Sequence, residues 1–134
     1  MISNDVLQET IVTFLKGKAN LTVYLSSSGE IKEDQWKGSN FVYPAIRVQL
    51  INQTPPPNRQ CTYSILEFWV LCFTEDASSQ NCDEIAGVVN NILHDHQIYG
   101  TKTFFSIMNI GLVPATSQGE RVWQSVVKFR SLVK

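Results

Sequence analysis

The sequence predicts an α+β domain: a mostly antiparallel sheet of four to five strands with two helices packed on one face. Three observations predict it. Two segments carry apolar residues at the 3.6-residue spacing of a helix face, residues 3–16 and 79–96. Two pairs of strand-like segments, 45–50 with 61–73 and 103–114 with 121–133, are each joined by a turn-rich connection. The order α, a possible short β, β-β, α, β-β places a helix between two hairpins, which favours antiparallel pairing over a parallel crossover sheet. At 134 residues and 15.1 kDa the chain suits one domain spanning 1–134.

The opening helix has Leu7, Ile11, Phe14 and Leu15 on one face, with Val6 alongside. Ser3 or Asn4 can accept a hydrogen bond from a first-turn N–H, Asp5 and Glu9 suit the positive end of the helix, and Gly17 suits its C-terminus. Leu21, Val23 and Leu25 alternate as in a short strand. Residues 26–42 are polar and turn-rich, and read as a long loop or flap pinned to the body by Trp36 and Phe41.

Ile46, Val48 and Leu50 alternate with Ala45, Arg47 and Gln49, so this strand has one apolar face and one more polar face. Residues 53–60 include Pro55, Pro56 and Pro57, which cannot donate ladder hydrogen bonds and favour polyproline geometry; they predict a stiff, projecting hairpin loop. In 61–73 both alternating sets are apolar. One holds Leu66, Phe68, Val70 and Cys72; the other holds Tyr63, Ile65, Trp69, Leu71 and Phe73, with Glu67 among them. Such a strand must be covered on both sides. Two helices cover one side only, so the second set either meets a neighbouring subunit or lies beneath the 18–42 segment, with Trp36 and Phe41 as the cover.

The second helix, 79–96, presents Ile85, Val88, Val89, Ile92 and Leu93, with Ser78, Ser79 and Asn81 as possible caps and Gly100 after its end. A strand at 103–114, a loop at 115–120 and a strand at 121–133 close the chain.

Chemistry is sparse. Eleven basic and twelve acidic residues give a net charge of −1 without a basic cluster, which argues against binding nucleic acid through its phosphates. Charged residues make up only 17%, compatible either with a surface partly covered by partners or with one rich in Ser, Thr, Asn and Gln. No apolar run approaches the roughly 18 residues of a membrane span, and no secretion signal is legible, so the expectation is a protein made in the cytoplasm. Cys61, Cys72 and Cys82 lack metal-site spacing and form no disulfide framework. His94 and His96 flank Asp95 without a convergent third ligand, and read as solvated residues at a helix end. The carboxylate pairs Glu33-Asp34, Glu75-Asp76 and Asp83-Glu84 look like loop or helix-start charges. GxSxG and glycine-rich phosphate loops are absent. No catalytic, cofactor or metal residue is expected, and the chain is not expected to be an enzyme.

The order of these segments resembles the tail-completion or tail-terminator proteins of long-tailed bacteriophages. The resemblance rests on the opening helix DVLQETIVTFLKG, the LTVYL segment and polar connection, and the strand YPAIRVQL led by Tyr43-Pro44. It continues through the long strand YSILEFWVLCF, the helix EIAGVVNNILHD and the closing strand VWQSVVKFRSLV. The triple proline and the long 26–40 connection depart from it. What it implies is a non-catalytic virion protein, in a homo-oligomeric ring, commonly of six. The ring would terminate the tail tube and join it to the neck or connector, with the tail tube protein and neck proteins as partners. On that reading Tyr63, Ile65, Trp69 and Leu71 are candidate subunit contacts, and the loop Pro55, Pro56, Pro57, Asn58 and Arg59 reaches toward a neighbour. The alternative is a small monomeric adaptor or ligand-binding module whose two-faced strand lines an apolar pocket.

Overall fold

A computed structural model describes residues 3–25, 30–33, 42–55, 63–100 and 102–134. The elements are α1 (Asn4–Lys16), α2 (Ala19–Thr22), β1 (Ile31–Glu33), β2 (Ala45–Thr54), β3 (Ser64–Glu75), α3 (Gln80–Leu93), β4 (Ile98–Tyr99), β5 (Thr103–Gly119) and β6 (Val122–Val133).

The sheet corrects the expected fold class. It has six strands, not four or five, in the order β1-β2-β3-β6-β5-β4. It is mixed, because β1 runs parallel to β2 while every other pair is antiparallel. Half of the described residues are strand against 29% helix, and the sheet curls into a half-barrel. Two of the six strands are too short to show periodicity. β1 has three residues inside the supposed flap, and β4 has two. A third, β5, is longer than its composition suggests: Pro114, Ala115 and the polar run to Gly119 read as a loop yet stay paired to β6. Proline is tolerated in an edge strand or at a bulge, and the register shifts between Val113 and Thr116, around Pro114. The turn is only Glu120 and Arg121. Gly119 adopts φ +145°, which side chains rarely tolerate, and Arg121 is left-handed at φ +62°.

The Leu21, Val23, Leu25 alternation belongs to helix α2 and the turns after it, not to a strand. Leu21 and Leu25, four apart, are buried on one side while Val23 is 75% exposed. In α1, Ser3 makes no capping bond to a first-turn N–H; its hydroxyl donates to the Asp5 carboxylate, which is thereby held below the usual carboxylate range. Helix α3 ends at Leu93, before both histidines.

α1 packs on β1 and β2, and α3 on β3, β5 and β6. Leu7, Ile11 and Leu15 of α1 and Ile85, Val89 and Leu93 of α3 enclose Leu66, Phe68, Val70 and Cys72 of β3. Phe68 sits at the centre, stacked on Phe129 at 5.4 Å and edge-on to Phe104 at 6.3 Å. Gln8 of α1 donates to the Val48 carbonyl at 3.0 Å, fixing the helix on the sheet. The calls on Trp36, Phe41, Cys61 and residues 56–60 fall outside the described residues.

Candidate interaction surface: the second face of the sheet

Because side chains alternate along β3, burying Leu66, Phe68, Val70 and Cys72 under the helices sends Ile65, Glu67, Trp69, Leu71 and Phe73 to the other side. Their cross-strand neighbours on β6 are Leu132, Arg130, Lys128, Val126 and Gln124. β5 adds Phe105 opposite Leu132 and Met108 opposite Arg130. Among the described residues, no helix covers this face.

The face is not uniform. At the β1–β2 end Leu71 lies opposite Arg47, and they are only 8% and 4% exposed. The Arg47 guanidinium donates to the carbonyls of Glu30 at 2.9 Å and Ile46 at 3.0 Å, so its charge is turned into the backbone of the β1 approach. In the middle, Lys128 lies over the Trp69 ring at 4.4 Å, a cation–π contact that shields one side of the indole. Among the described residues, the buried Trp69 Nε1–H has no hydrogen-bond partner. A buried donor left unpaired costs about 1–3 kcal/mol. Tyr63 packs edge-on to Phe105 at 6.3 Å.

The far end is open. Ile65, Glu67, Asn52, Thr54, Ile110 and Arg130 line a shallow cleft of about 340 Å³. Met108, Ile110, Arg130 and Leu132 line a neighbouring one of about 320 Å³. Met108 and Ile110 are 45% and 48% exposed.

Of the residues marked from sequence as contacts, Tyr63, Ile65 and Trp69 are half-buried on this face. Leu71 is already sealed within the chain. Pro55 is exposed at the end of β2, and Pro56, Pro57, Asn58 and Arg59 lie outside the described residues. Sequence reading missed Met108, Ile110, Lys128 and Arg130. The alternation of Met108 and Ile110 is a signal in principle, but the bulges of β5 interrupt it.

The groups singled out for chemistry are spread over separate structural tasks. His94 is half-buried, and its Nδ1 accepts the Asn109 N–H at 3.0 Å; His96 is exposed beyond the helix. Asp83 accepts the Ala115 N–H at 2.8 Å, and Asp76 accepts from Ala77 and Asn81, both at 2.6 Å. Glu84 accepts the Tyr24 hydroxyl at 3.0 Å and raises that phenol above its usual range.

The same arrangement of elements occurs in solved structures. A chain from the virion of a native gene transfer agent particle aligns with a TM-score of 0.70 at 14% identity, over 95% of this chain and 93% of that one. The chain shares the fold of a virion component. A second solved structure, of a protein designated only by a sequence identifier, aligns with a TM-score of 0.68 at 10% identity, over 100% of this chain and 97% of the other. No protein-family model and no curated protein sequence matches the chain. At these identities the likeness is one of fold.

Proposed function

We propose that this chain is a structural protein of a phage-like virion, acting as one copy of a ring at the head-proximal end of a tail. In that place it terminates the tail tube and joins it to the neck, with neck and tube proteins as neighbours, six copies to a ring, and no catalysis of its own. The observation that carries the reading is the second sheet face. It exposes Met108 and Ile110 beside Ile65 and Leu132, with Trp69 further along β3 under Lys128, and no helix of the described chain covers them. Contiguous exposed apolar surface marks a contact. The fold shared with a chain of a gene transfer agent virion supports an assembly role, and the resemblance to tail terminators supplies the position in the tail.

The test is assembly of the purified protein, followed by light scattering behind size exclusion and by negative-stain electron microscopy over rising concentration. Rings of uniform diameter are expected. Trp69→Asp places a carboxylate under Lys128 in the middle of the face and should give a folded monomer by circular dichroism. Wild-type protein that stays a single copy at every concentration, or a Trp69→Asp chain that assembles as the wild type does, would overturn the proposal.

A further inference from the structure

The second sheet face carries charge as well as apolar surface, and the charge selects what can cover it. Lys128 and Arg130 stand side by side along β6 on that face, with Glu67 across from Arg130, so two cations meet one carboxylate. On the helix side of the molecule, α1 and β1 enclose a cleft of about 390 Å³ of the opposite sign. Asp5, Glu9 and Glu33 line it against the single ammonium of Lys16, with Val12 at its base. The two surfaces share no residue and lie on opposite sides of the sheet.

We propose that the occupant of the second face is the α1–β1 flank of another copy of this chain, docked head to tail. This rests on the assembly reading above and names its contact. A two-fold contact of the face with itself presents the same surplus of positive charge from both sides, Lys128 and Arg130 against a single Glu67, and so lacks the charge complementarity of an opposite-sign patch. The head-to-tail contact instead sets the Arg130 fork against carboxylates, the geometry a guanidinium serves best. It leaves Met108 and Ile110 to bury against the neighbour. Contacts between two different patches of one molecule propagate, and they close into a ring when the rotation per copy divides a full turn.

The experiment reverses each side separately. Variant one is Lys128→Glu with Arg130→Glu; variant two is Glu9→Lys with Glu33→Lys. Each alone should need roughly tenfold or more protein to assemble than wild type. Mixed one to one they should assemble again, because the acidic face of the first meets the basic flank of the second while the remaining pair is native. The mixed particles should contain even numbers of copies, alternating in composition by native mass spectrometry. Should the first variant lose its fold by circular dichroism, Arg130→Glu alone, at an exposed position, serves in its place. Wild type that assembles together with single-side variants that assemble equally well, or a mixture that stays disassembled, overturns the head-to-tail contact and leaves the ring reading standing. Wild type that never assembles removes both.

Discussion

Cys72 of β3 and Cys82 of α3 meet where helix and sheet join, the Cys82 thiol donating to the Cys72 carbonyl at 3.3 Å. Burial pushes both thiols above their usual range, Cys72 the further of the two. Alkylation and disulfide exchange need an accessible thiolate, and both side chains are buried, so both sulfurs are expected to stay unreactive while the chain is folded. In a Cys61→Ser background, a chromogenic disulfide reagent should label almost nothing at neutral pH and two equivalents once denaturant is added. Rapid labelling of the native protein would show that the helix–sheet junction opens on its own. The sign of the linkage follows from the same shift. A thiol whose folded pKa is raised stabilises the fold fully below the unfolded value of about 8.5, and that contribution fades as pH rises beyond it. Sequence reading placed Cys72 in an apolar set of its strand and made no such assignment for Cys82. Alternation along 61–73 puts Cys72 on the Phe68 side, but it does not show that Cys82 lies against it.

Strand β5 shows what elements do that residues cannot. One of its edges pairs with β6; the other meets β4 only at Thr103 and Phe104. The exposed remainder is held instead by α3 and the loop after it. The Asp95 N–H bonds the Ile107 carbonyl at 2.7 Å, His94 accepts the Asn109 N–H, and Asp83 accepts the Ala115 N–H. An edge strand with free amides is a template for pairing with other chains. Asp83→Ala should therefore cost about 0.5–1.5 kcal/mol in denaturant melts, the net worth of one hydrogen bond, and should raise amyloid-dye binding at high concentration. Unchanged stability and unchanged dye binding would show that the edge is protected by other means. This arrangement was invisible in the sequence because it joins side chains just after and on α3, His94 and Asp83, to amides 15 and 32 residues away. Local periodicity, by contrast, was enough for α1, α3 and β3, whose buried sets follow the 3.6 and 2.0 repeats. β1 fails that test for a physical reason. Three residues hold no repeat, and Ile31 is buried because pairing with Ile46, 15 positions on, sets β1 into the sheet under α1.

At the scale of the molecule, one sheet has two unequal sides, and among the described residues only one of them is finished by helices. The doubly apolar composition of β3 announced this, whereas the open end at Met108, Ile110 and Arg130 depended on β5 register and could not be read beforehand. The imbalance has a thermodynamic consequence. Anything that binds the folded state alone stabilises it by mass action, so a protein whose second face is covered by another copy melts higher at higher concentration. A tenfold step in free protein is worth up to about 1.4 kcal/mol per contact, or a few degrees in Tm for a chain of this size. Calorimetry across two decades of concentration should show that rise for wild type. Trp69→Asp, which removes the contact while keeping the helix-side core, should melt at one temperature throughout. A wild-type Tm that ignores concentration would mean that the second face is stable in water as it stands, and that Met108 and Ile110 are exposed without a neighbour to receive them.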